Sequence, residues 1–371
     1  MNPKRYALLF PAALAAVAIP LMVSAKAPLP LHAVVNVFEP PGESNVRSSF
    51  ALRGNHVLLG TEETADVYKS EDGGRSWRKT FDAGDAFGIA DVRSVIRAAD
   101  GSLVASTSGK GDILKSVDGG ETWTLVNSIP AWRTVGIIQL SDGTFLTGAR
   151  KDDSGETSIY RSEDGFKTLE RVGLPTPAQQ NVTCFHDLGG GKALAGAGYD
   201  GTAKVLKTED SGRTWRLVAD FEGTFDIFDF VEVDGKILTS TKSTATIYAS
   251  DDGGETWQPH VQVWEKGFLG TFDQFDWEEN RYTVLSGTDQ RNPDRFRHCL
   301  LISRDGGETF EEWIELMTDR TGGASNVTVV GDRTLVASAS DDGTVGYHGL
   351  VTDALLHWLR QAGHEGLVVY T

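Results

Sequence analysis

One eight-residue motif recurs six times along this chain and combines a hydroxyl residue, an aspartate, glycine and an aromatic ring. The first copy, SEDGGRSW, begins at Ser70, and the others read SVDGGETW, SEDGFKTL, TEDSGRTW, SDDGGETW and SRDGGETF. Their third-position acids are Asp72, Asp118, Asp164, Asp210, Asp252 and Asp305, which lie 46, 46, 46, 42 and 53 residues apart. A period of this length indicates a propeller, a solenoid or another repeat array.

Each copy of the motif lies between two short segments that have the alternation of β-strands. DILKS and TWTLV, for example, flank the second copy. Glycine supplies the positive φ angle that a tight turn needs, and the aspartate can accept hydrogen bonds from the amides of its own turn. A calcium loop of the EF-hand type needs alternating oxygen ligands and a terminal glutamate, which the copies lack. We therefore predict that the six aspartates are structural and bind no metal.

The pattern S-x-D-x-G-x-T-W resembles the Asp-box, or BNR, repeat of sialidases and related β-propellers. This resemblance implies a propeller whose boxes lie on hairpins away from the ligand-binding face. The third copy departs from the pattern, with Phe166 in place of a glycine and Leu169 in place of the tryptophan. The fourth copy has Thr208 instead of serine, and the sixth has Phe310 instead of tryptophan.

The repeat allows the blades of such a propeller to be counted. Four strands fit each unit, and the units begin near Val46, Val92, Thr134, Val182, Phe225, Gly270 and Asn326. The seventh unit has no Asp-box and no clear fourth strand, so we predict that Ala33–Phe38 supplies that strand and closes the ring. The predicted fold is all-β, a seven-bladed β-propeller of four-stranded antiparallel blades over residues 26–352. Sialidases have six blades.

The two ends of the chain differ from the repeats. Residues 1–25 contain Lys4 and Arg5, an apolar run and a small-residue cleavage site, as a secretory signal peptide does. An uncleaved anchor is the alternative interpretation. Residues 353–371 predict a short C-terminal helix that Gly363 ends, followed by a strand at Leu367–Tyr370. We favour packing of this extension on the propeller over docking of a partner.

Composition restricts the partners and the compartment. The net charge of −17 argues against nucleic acid or an anionic membrane as the main partner. After signal cleavage we expect a monomer in the periplasm or the medium, with no membrane-spanning segment. Cys184 and Cys299 fall on different blades, so we predict buried thiols and no disulfide. No phosphate loop or metal motif is visible, and no cofactor is predicted.

Propeller ligands bind where loops enter the first strand of each blade and where loops join its second and third strands. These loops supply basic residues from several blades. The residues that we predict to bind ligand are Arg47, Arg93, Arg133, Lys110, Arg150, Lys242 and Arg291. Repeat geometry would place them around one funnel. The alternative is that each pairs with an acid of its own or of a neighbouring blade.

The function that we favour is a non-catalytic binding or assembly module. Exported seven-bladed propellers with Asp-box-like turns resemble the photosystem II stability/assembly factor-like group, and this resemblance covers nearly the whole predicted mature chain. It implies docking of an envelope protein, or of another ligand such as a carbohydrate, on the top face. It does not identify particular site residues.

The alternative function is a sialidase-like or other glycoside hydrolase that acts in the central funnel. Sialidases bind a substrate carboxylate with three arginines and use a tyrosine nucleophile, for which Tyr199 is the candidate. Their Phe/Tyr-Arg-Ile-Pro motif near the N-terminus is absent here; the sequence around Arg47 is NVRSS instead. An enzyme of the paired-carboxylate type would instead use Asp229 and Asp276, which we place in the strand-one entries.

Overall fold

The computed structural model describes residues 40–41, 46–152, 155–175, 181–198, 201–277, 279–319, 323–331, 334–340 and 368–370. Within them the chain is almost entirely β-sheet, with a single short helix. This confirms the predicted all-β class. No helix in the described part is long and apolar enough to cross a membrane. The predicted signal peptide, the strand Ala33–Phe38 and the C-terminal helix lie outside the described residues.

Six consecutive groups of four strands follow one another along the chain, and we call them blades one to six. Blades one to three contain β1 (Val46–Ala51), β2 (Val57–Thr61), β3 (Asp66–Ser70), β4 (Arg78–Asp82), β5 (Asp91–Arg97), β6 (Leu103–Ser108), β7 (Asp112–Ser116), β8 (Thr124–Ser128), β9 (Ala131–Gln139), β10 (Phe145–Asp152), β11 (Ser158–Ser162) and β12 (Glu170–Gly173). Each blade begins within three residues of its predicted start.

Blades four to six continue the same order. They contain β13 (Asn181–Gly189), β14 (Lys192–Gly198), β15 (Thr202–Thr208), β16 (Arg216–Glu222), β17 (Ile227–Val233), β18 (Lys236–Ser243), β19 (Thr246–Ser250), β20 (Gln258–Gln262), β21 (Gly267–Trp277), β22 (Asn280–Asp289), β23 (Phe296–Ser303) and β24 (Glu311–Asp319). Every blade is an antiparallel meander in which consecutive strands pair.

A short helix that the sequence analysis did not predict joins blades one and two. This helix, α1, spans Ala83–Phe87. The side chain of Asp82 caps its first turn by accepting a hydrogen bond from the amide of Asp85, and Gly88 ends it in the left-handed conformation.

The last described sheet differs from the others. It contains β25 (Gly323–Val330), β26 (Thr334–Ser340) and β27 (Val368–Tyr370), and β27 pairs parallel to β26. Residues 343–351, where the third strand of this unit would fall, lie outside the described residues. The count of seven blades and closure by Ala33–Phe38 therefore stay predictions.

The first and last described sheets nevertheless touch each other. Ser49 and Thr328 share a hydrogen bond of 2.5 Å between their hydroxyl oxygens, and the side-chain amide of Asn326 donates to the backbone oxygen of Arg47. Val46 and Val336, from β1 and β26, belong to one buried cluster. Residues almost three hundred positions apart thus form one packed seam.

The Asp-box aspartates bind their own turns. The carboxylate of Asp118 accepts hydrogen bonds from the hydroxyl of Ser116 at 2.8 Å, from the amides of Glu121 and Thr122, and from the hydroxyl of Thr122 at 2.6 Å. Burial alone would raise the pKa of Asp118, but the hydrogen bonds from Thr122 and Ser116 outweigh it and bring the pKa to about 2. Five equivalent aspartates share the serine or threonine contacts: Asp72, Asp164, Asp210, Asp252 and Asp305.

The second glycine position of the box also fixes the contact between blades. A methyl group added at the α-carbon of Gly120 would lie 2.7 Å from the nearest carbon of Leu58 on the preceding blade, and the pairs Gly212–Leu146, Gly254–Leu194 and Gly307–Leu238 repeat this approach. In the third box the position is Phe166, which has a φ of 67° and is fully buried. The strand position that is leucine elsewhere is here Val104, and both residues belong to one buried cluster. The larger box residue thus accompanies a smaller residue on the strand.

Both cysteines are free thiols in the core. Cys184 lies on β13 and Cys299 on β23, and both are buried. Burial raises the pKa of the Cys299 thiol to about 12, so it stays protonated at neutral pH.

Candidate functional site

The first strands of neighbouring blades lie side by side, which brings their entry loops together. The hydroxyl of Ser48 on β1 donates to the backbone oxygen of Val92 on β5, at 3.0 Å. Ser106 on β6 donates in the same way to Val135 on β9, at 2.7 Å. Between blades two and three, Ser108 and Arg133 also occupy paired strand positions. The starts of β1, β5 and β9 therefore form one continuous surface.

Two of the predicted arginines on this surface have acids of their own. The guanidinium of Arg47 pairs with Glu62, and that of Arg93 lies 2.9 Å from Asp91 and donates to Ser108 at 3.0 Å. Burial lowers the pKa of Arg93; the carboxylate of Asp91 opposes this change and the positive charge of Arg47 adds to it. Arg47 and Arg93 therefore follow the alternative interpretation, in which an arginine of an entry loop pairs with a nearby acid.

Arg133 is held differently. It lies above the ring of Trp132, with 4.5 Å between the guanidinium carbon and the ring centroid. Within the described residues no carboxylate lies at ion-pair distance from Arg133, and its buried Nε atom has no hydrogen-bond partner. Burial, together with repulsion from Arg93 and Arg150, lowers the pKa of Arg133 to about 10. The group is still a cation at neutral pH, but its charge is poorly compensated.

A second guanidinium shares the same indole. Arg150 on β10 is the strand partner of Arg133, and its guanidinium carbon is 5.4 Å from the centroid of Trp132. Trp132 keeps about half of its surface exposed, at 52%. We call Arg47, Arg93, Arg133, Arg150 and Trp132 the arginine surface. Cation–π contact with one exposed ring partly offsets the repulsion between two neighbouring cations.

The next blades add groups to one side of the arginine surface. Burial raises the pKa of Asp226, although the positive charges of Lys242, Arg133 and Arg150 oppose that change. The Oδ1 atom of Asp226 and that of the buried Asn181 have no hydrogen-bond partner within the described residues. Polar atoms buried without partners are rare in folded proteins and are often satisfied by a ligand or a water molecule.

Two further predicted cations, Lys110 and Arg291, bind other parts of the chain. The ammonium of Lys110 donates to the backbone oxygen of Phe87 in α1, at 2.7 Å. Arg291 binds the buried carboxylate of Asp289, which also pairs with Arg297. These contacts hold α1 and the long loop of blade six in place. Lys110 adjoins the arginine surface through its neighbour Gly109, whose amide donates to the backbone oxygen of Trp132 at 2.9 Å. Among the described residues, Arg291 makes no contact with that surface.

The two predicted catalytic carboxylates do not come together. Asp229 accepts hydrogen bonds from the amides of Phe230 and Phe272, each at 2.9 Å, and burial raises its pKa to about 7. Asp276 follows Phe272 by four residues on β21, roughly 13 Å further along the strand at about 3.3 Å per residue. Paired carboxylates of glycosidases lie about 5–9.5 Å apart. Asp276 is instead exposed near the β21–β22 turn and pairs with Arg281.

The contacts of Asp229 recur in the next blade, which indicates a structural role. Asp273 on β21 accepts hydrogen bonds from the amides of Gln274 and Val329, and burial raises its pKa as well. In both places a carboxylate on the first strand of one blade binds the backbone of the next sheet. Tyr199, the proposed nucleophile, lies outside the described residues. No cluster of three metal-binding side chains occurs in the described part of the chain.

Trp132 was not among the predicted ligand-binding residues. Its signal in the sequence is a large aromatic residue in an entry loop directly before an arginine, within AWRT. The contribution of Arg150 to the same ring follows from strand pairing, which the sequence does not show.

Comparison with known proteins supports the repeat assignment. Residues 248–259 match the family model described as BNR/Asp-box repeat. A comparison with curated proteins found no significant match in sequence. Among solved structures, YCF48 from Cyanidioschyzon merolae has a TM-score of 0.54 and 13% identity, with 81% of this chain and 95% of that chain covered. The fold is that of a BNR-type β-propeller.

Other propellers of this fold are enzymes. The GH74 xyloglucanase from Xanthomonas campestris has a TM-score of 0.55 and 14% identity over 75% of this chain, which spans 46% of the xyloglucanase. A catalytically inactive virginiamycin B lyase from Staphylococcus aureus, solved with quinupristin, has a TM-score of 0.58 and 10% identity, with 82% of this chain and 95% of that chain covered. At such identities the likeness concerns the fold alone.

Proposed function

We propose that this propeller is an exported, non-catalytic binding module that docks an envelope protein through the arginine surface. The observation that carries the proposal is the pair of guanidinium groups on the exposed ring of Trp132, one of which, Arg133, has no acidic partner among the described residues. A carboxylate of a docked polypeptide would supply the missing counter-charge. Planar guanidinium groups suit that contact, and aromatic and arginine residues are the usual anchors of protein interfaces.

The charge of the whole molecule makes this surface selective. The chain carries a net charge of −17, so an acidic partner is repelled by most of its surface and attracted only where cations gather. We infer that the docked segment presents carboxylates, either as acidic side chains or as a chain terminus. The predicted signal peptide would put the encounter in the periplasm or outside the cell.

An enzymatic function has less support from the side chains. Asp229 binds two backbone amides, and Asp276 lies further along β21, so they do not form a catalytic pair. A glycoside hydrolase on this scaffold would need other residues. We retain a glycoside hydrolase as the alternative function and test it together with docking.

Photo-crosslinking tests the docking proposal. A photoreactive phenylalanine analogue replaces Trp132 in the protein expressed in its native host, and a matched variant carries the analogue at Leu125, which is exposed on β8. We expect a discrete envelope-protein adduct from position 132 that position 125 does not give. Arg133→Glu should abolish that adduct, since it repels a carboxylate partner.

The opposite result would contradict the proposal. Equal adducts from positions 132 and 125, or an adduct that survives Arg133→Glu, would show that the arginine surface does not select the partner. Turnover of a panel of chromogenic glycosides by the purified protein would support the hydrolase instead, provided that Arg133→Glu reduces it.

A further inference from the structure

Two exposed aromatic rings occupy equivalent positions in blades three and five. Trp132 directly precedes Arg133, which pairs with a residue near the end of the second strand of blade three. Phe225 directly precedes Asp226, whose backbone oxygen accepts a hydrogen bond of 3.1 Å from the amide of Lys242, near the end of the second strand of blade five. Both rings therefore lie where the first strand of a blade begins, on the face that carries the arginine surface.

The exposure of these rings distinguishes them from the other apolar residues on the surface. Among the described residues five large apolar side chains are exposed, and these two are the aromatic ones, with Phe225 exposed at 47%. The others, Val117, Leu125 and Leu217, lie in an Asp-box turn or on the outermost strands of blades two and four. Aromatic residues are enriched at the centres of protein interfaces, where their apolar surface is removed from water.

Hydrogen bonds hold the backbone on both sides of Phe225. Its amide donates to the backbone oxygen of Lys242 at 3.4 Å, and the hydroxyl of Thr224 donates to the backbone oxygen of Phe221 at 2.6 Å. A methyl group added at Gly198, on the second strand of blade four, would collide with the backbone oxygen of Phe225, so this entry loop lies directly on the neighbouring blade. A ring on a backbone held in this way costs little entropy to bind.

Polar groups connect Phe225 to the arginine surface across blade four. Burial raises the pKa of its neighbour Asp226, and positive charges that include those of Arg133 and Arg150 oppose this rise, so these groups are within electrostatic reach of one another. Between them lies Asn181 at the start of β13, and the Oδ1 atoms of Asn181 and Asp226 have no hydrogen-bond partner within the described residues. The amides of a polypeptide laid across blade four are donors of the kind that these oxygens lack.

The separation of the two rings determines how long such a polypeptide segment must be. Packed β-sheets lie about 10 Å apart, so the two steps from blade three to blade five cover roughly 20 Å. That distance corresponds to about six residues of an extended chain at about 3.3 Å per residue.

We propose that the docked segment runs from the arginine surface across blade four and places an apolar side chain against the ring of Phe225, about six residues from the carboxylate that binds Arg133. This inference rests on the proposed docking at the arginine surface. It adds a second requirement to the partner, which must carry an acidic group and an apolar side chain at this spacing in one extended segment.

Mapping of crosslinks tests this path. The photoreactive phenylalanine analogue is placed at position 225 of the protein expressed in its native host, and a matched variant carries it at Leu217, which is 43% exposed on the outermost strand of blade four. We expect position 225 to give an adduct with the same envelope protein as position 132, and position 217 to give none. Mass spectrometry should place the crosslinks from positions 132 and 225 in one segment of that protein, about five to eight residues apart.

Substitutions at Phe225 measure the contribution of its ring. With the analogue at position 132, and with expression low enough for the yield to follow docking, Phe225→Ser should lower the adduct yield about tenfold, because it removes apolar surface that docking covers. Phe225→Leu keeps an apolar side chain and should retain most of the yield. Leu217→Ser removes a similarly exposed apolar side chain and should leave the yield unchanged. Far-ultraviolet circular dichroism of the purified variants checks that each is folded.

The outcomes separate this inference from the proposed function. An adduct from position 132 with none from position 225 would overturn the inference and leave docking at the arginine surface intact. Crosslinks in different segments of the partner, a yield that Phe225→Ser leaves unchanged, or a polysaccharide adduct at position 225 would overturn it as well. Absence of a protein adduct from position 132 would overturn the proposed function and this inference together.

Discussion

The third Asp-box allows a test of how neighbouring blades are matched in size. Four boxes place a glycine against a leucine of the preceding blade, whereas the third places Phe166 in the cluster that contains Val104. The perturbation is Phe166→Gly, made alone and together with Val104→Leu. The double variant recreates the pair found in the other four boxes.

The magnitudes follow from burial and backbone conformation. Loss of a fully buried phenylalanine ring costs about 3–5 kcal/mol, and relief of the left-handed backbone at Phe166 returns about 1–2 kcal/mol. Phe166→Gly should therefore lower the free energy of unfolding by about 1–4 kcal/mol. Val104→Leu alone should lower it by about 1–3 kcal/mol, because the extra methylene meets the phenylalanine ring. In the double variant the leucine fills part of the cavity, so the two losses should partly cancel.

Urea unfolding measures this coupling. The transition is followed by tryptophan fluorescence and by circular dichroism, and coincidence of the two curves checks the two-state treatment. We expect the double variant to be more stable than additivity predicts by about 1–2 kcal/mol. As a control, Phe166→Gly is combined with Val57→Leu in the core of blade one, where additivity is expected. Additive losses in the Val104 pair as well would refute the idea that the two positions compensate each other.

Three further predictions concern the aspartates. Asp118→Ala should lower the free energy of unfolding by about 2 kcal/mol in urea, because it removes the acceptor of four hydrogen bonds; an unchanged midpoint would contradict this role. The pKa values of Asp72, Asp118 and Asp164 are about 2, below the unfolded value of about 3.9. The stability that these aspartates contribute is therefore present above about pH 4 and should be lost as the pH falls towards 2, which thermal melts at a series of pH values would show. Asp229 has a raised pKa of about 7, so its contribution to stability is present below about pH 4 and falls as the pH rises to about 7. The Tm advantage of the wild type over Asp229→Asn should therefore shrink between pH 5 and 8. A difference in Tm that stays constant over this range would exclude the titration of Asp229.

The blades could be predicted because their signals are local. A box such as SVDGGETW contains both the turn and the hydrogen-bond acceptor that stabilises it, so a few consecutive residues determine each hairpin. Six blade starts then follow from the period. The residues that line each blade boundary do not follow in this way, as the exchange of glycine and leucine for Phe166 and Val104 shows.

The candidate site was predicted less completely, for two physical reasons. Pairing between strands brings Arg150 beside Arg133, and no sequence spacing shows that contact. The first strand of blade six spans eleven residues and begins at Gly267, with a register shift between Leu269 and Phe272. Asp276 therefore lies near the far end of that strand instead of at its entry. An error of a few residues in a predicted strand boundary can therefore place a residue at the wrong end of its strand, and so on the wrong face of the propeller.

The seam between the first and last described sheets has a consequence for the order of folding. Ser49 and Thr328, which join there, are 279 residues apart in sequence. Closing so long a loop lowers the conformational entropy of the chain before the contact can stabilise it, and such distant contacts slow folding. During synthesis the side of β1 that contacts β25 and β26 cannot be covered by them until these strands have been made. We therefore expect the seam to close last, and a chain still being synthesised to present an aggregation-prone and protease-sensitive surface there.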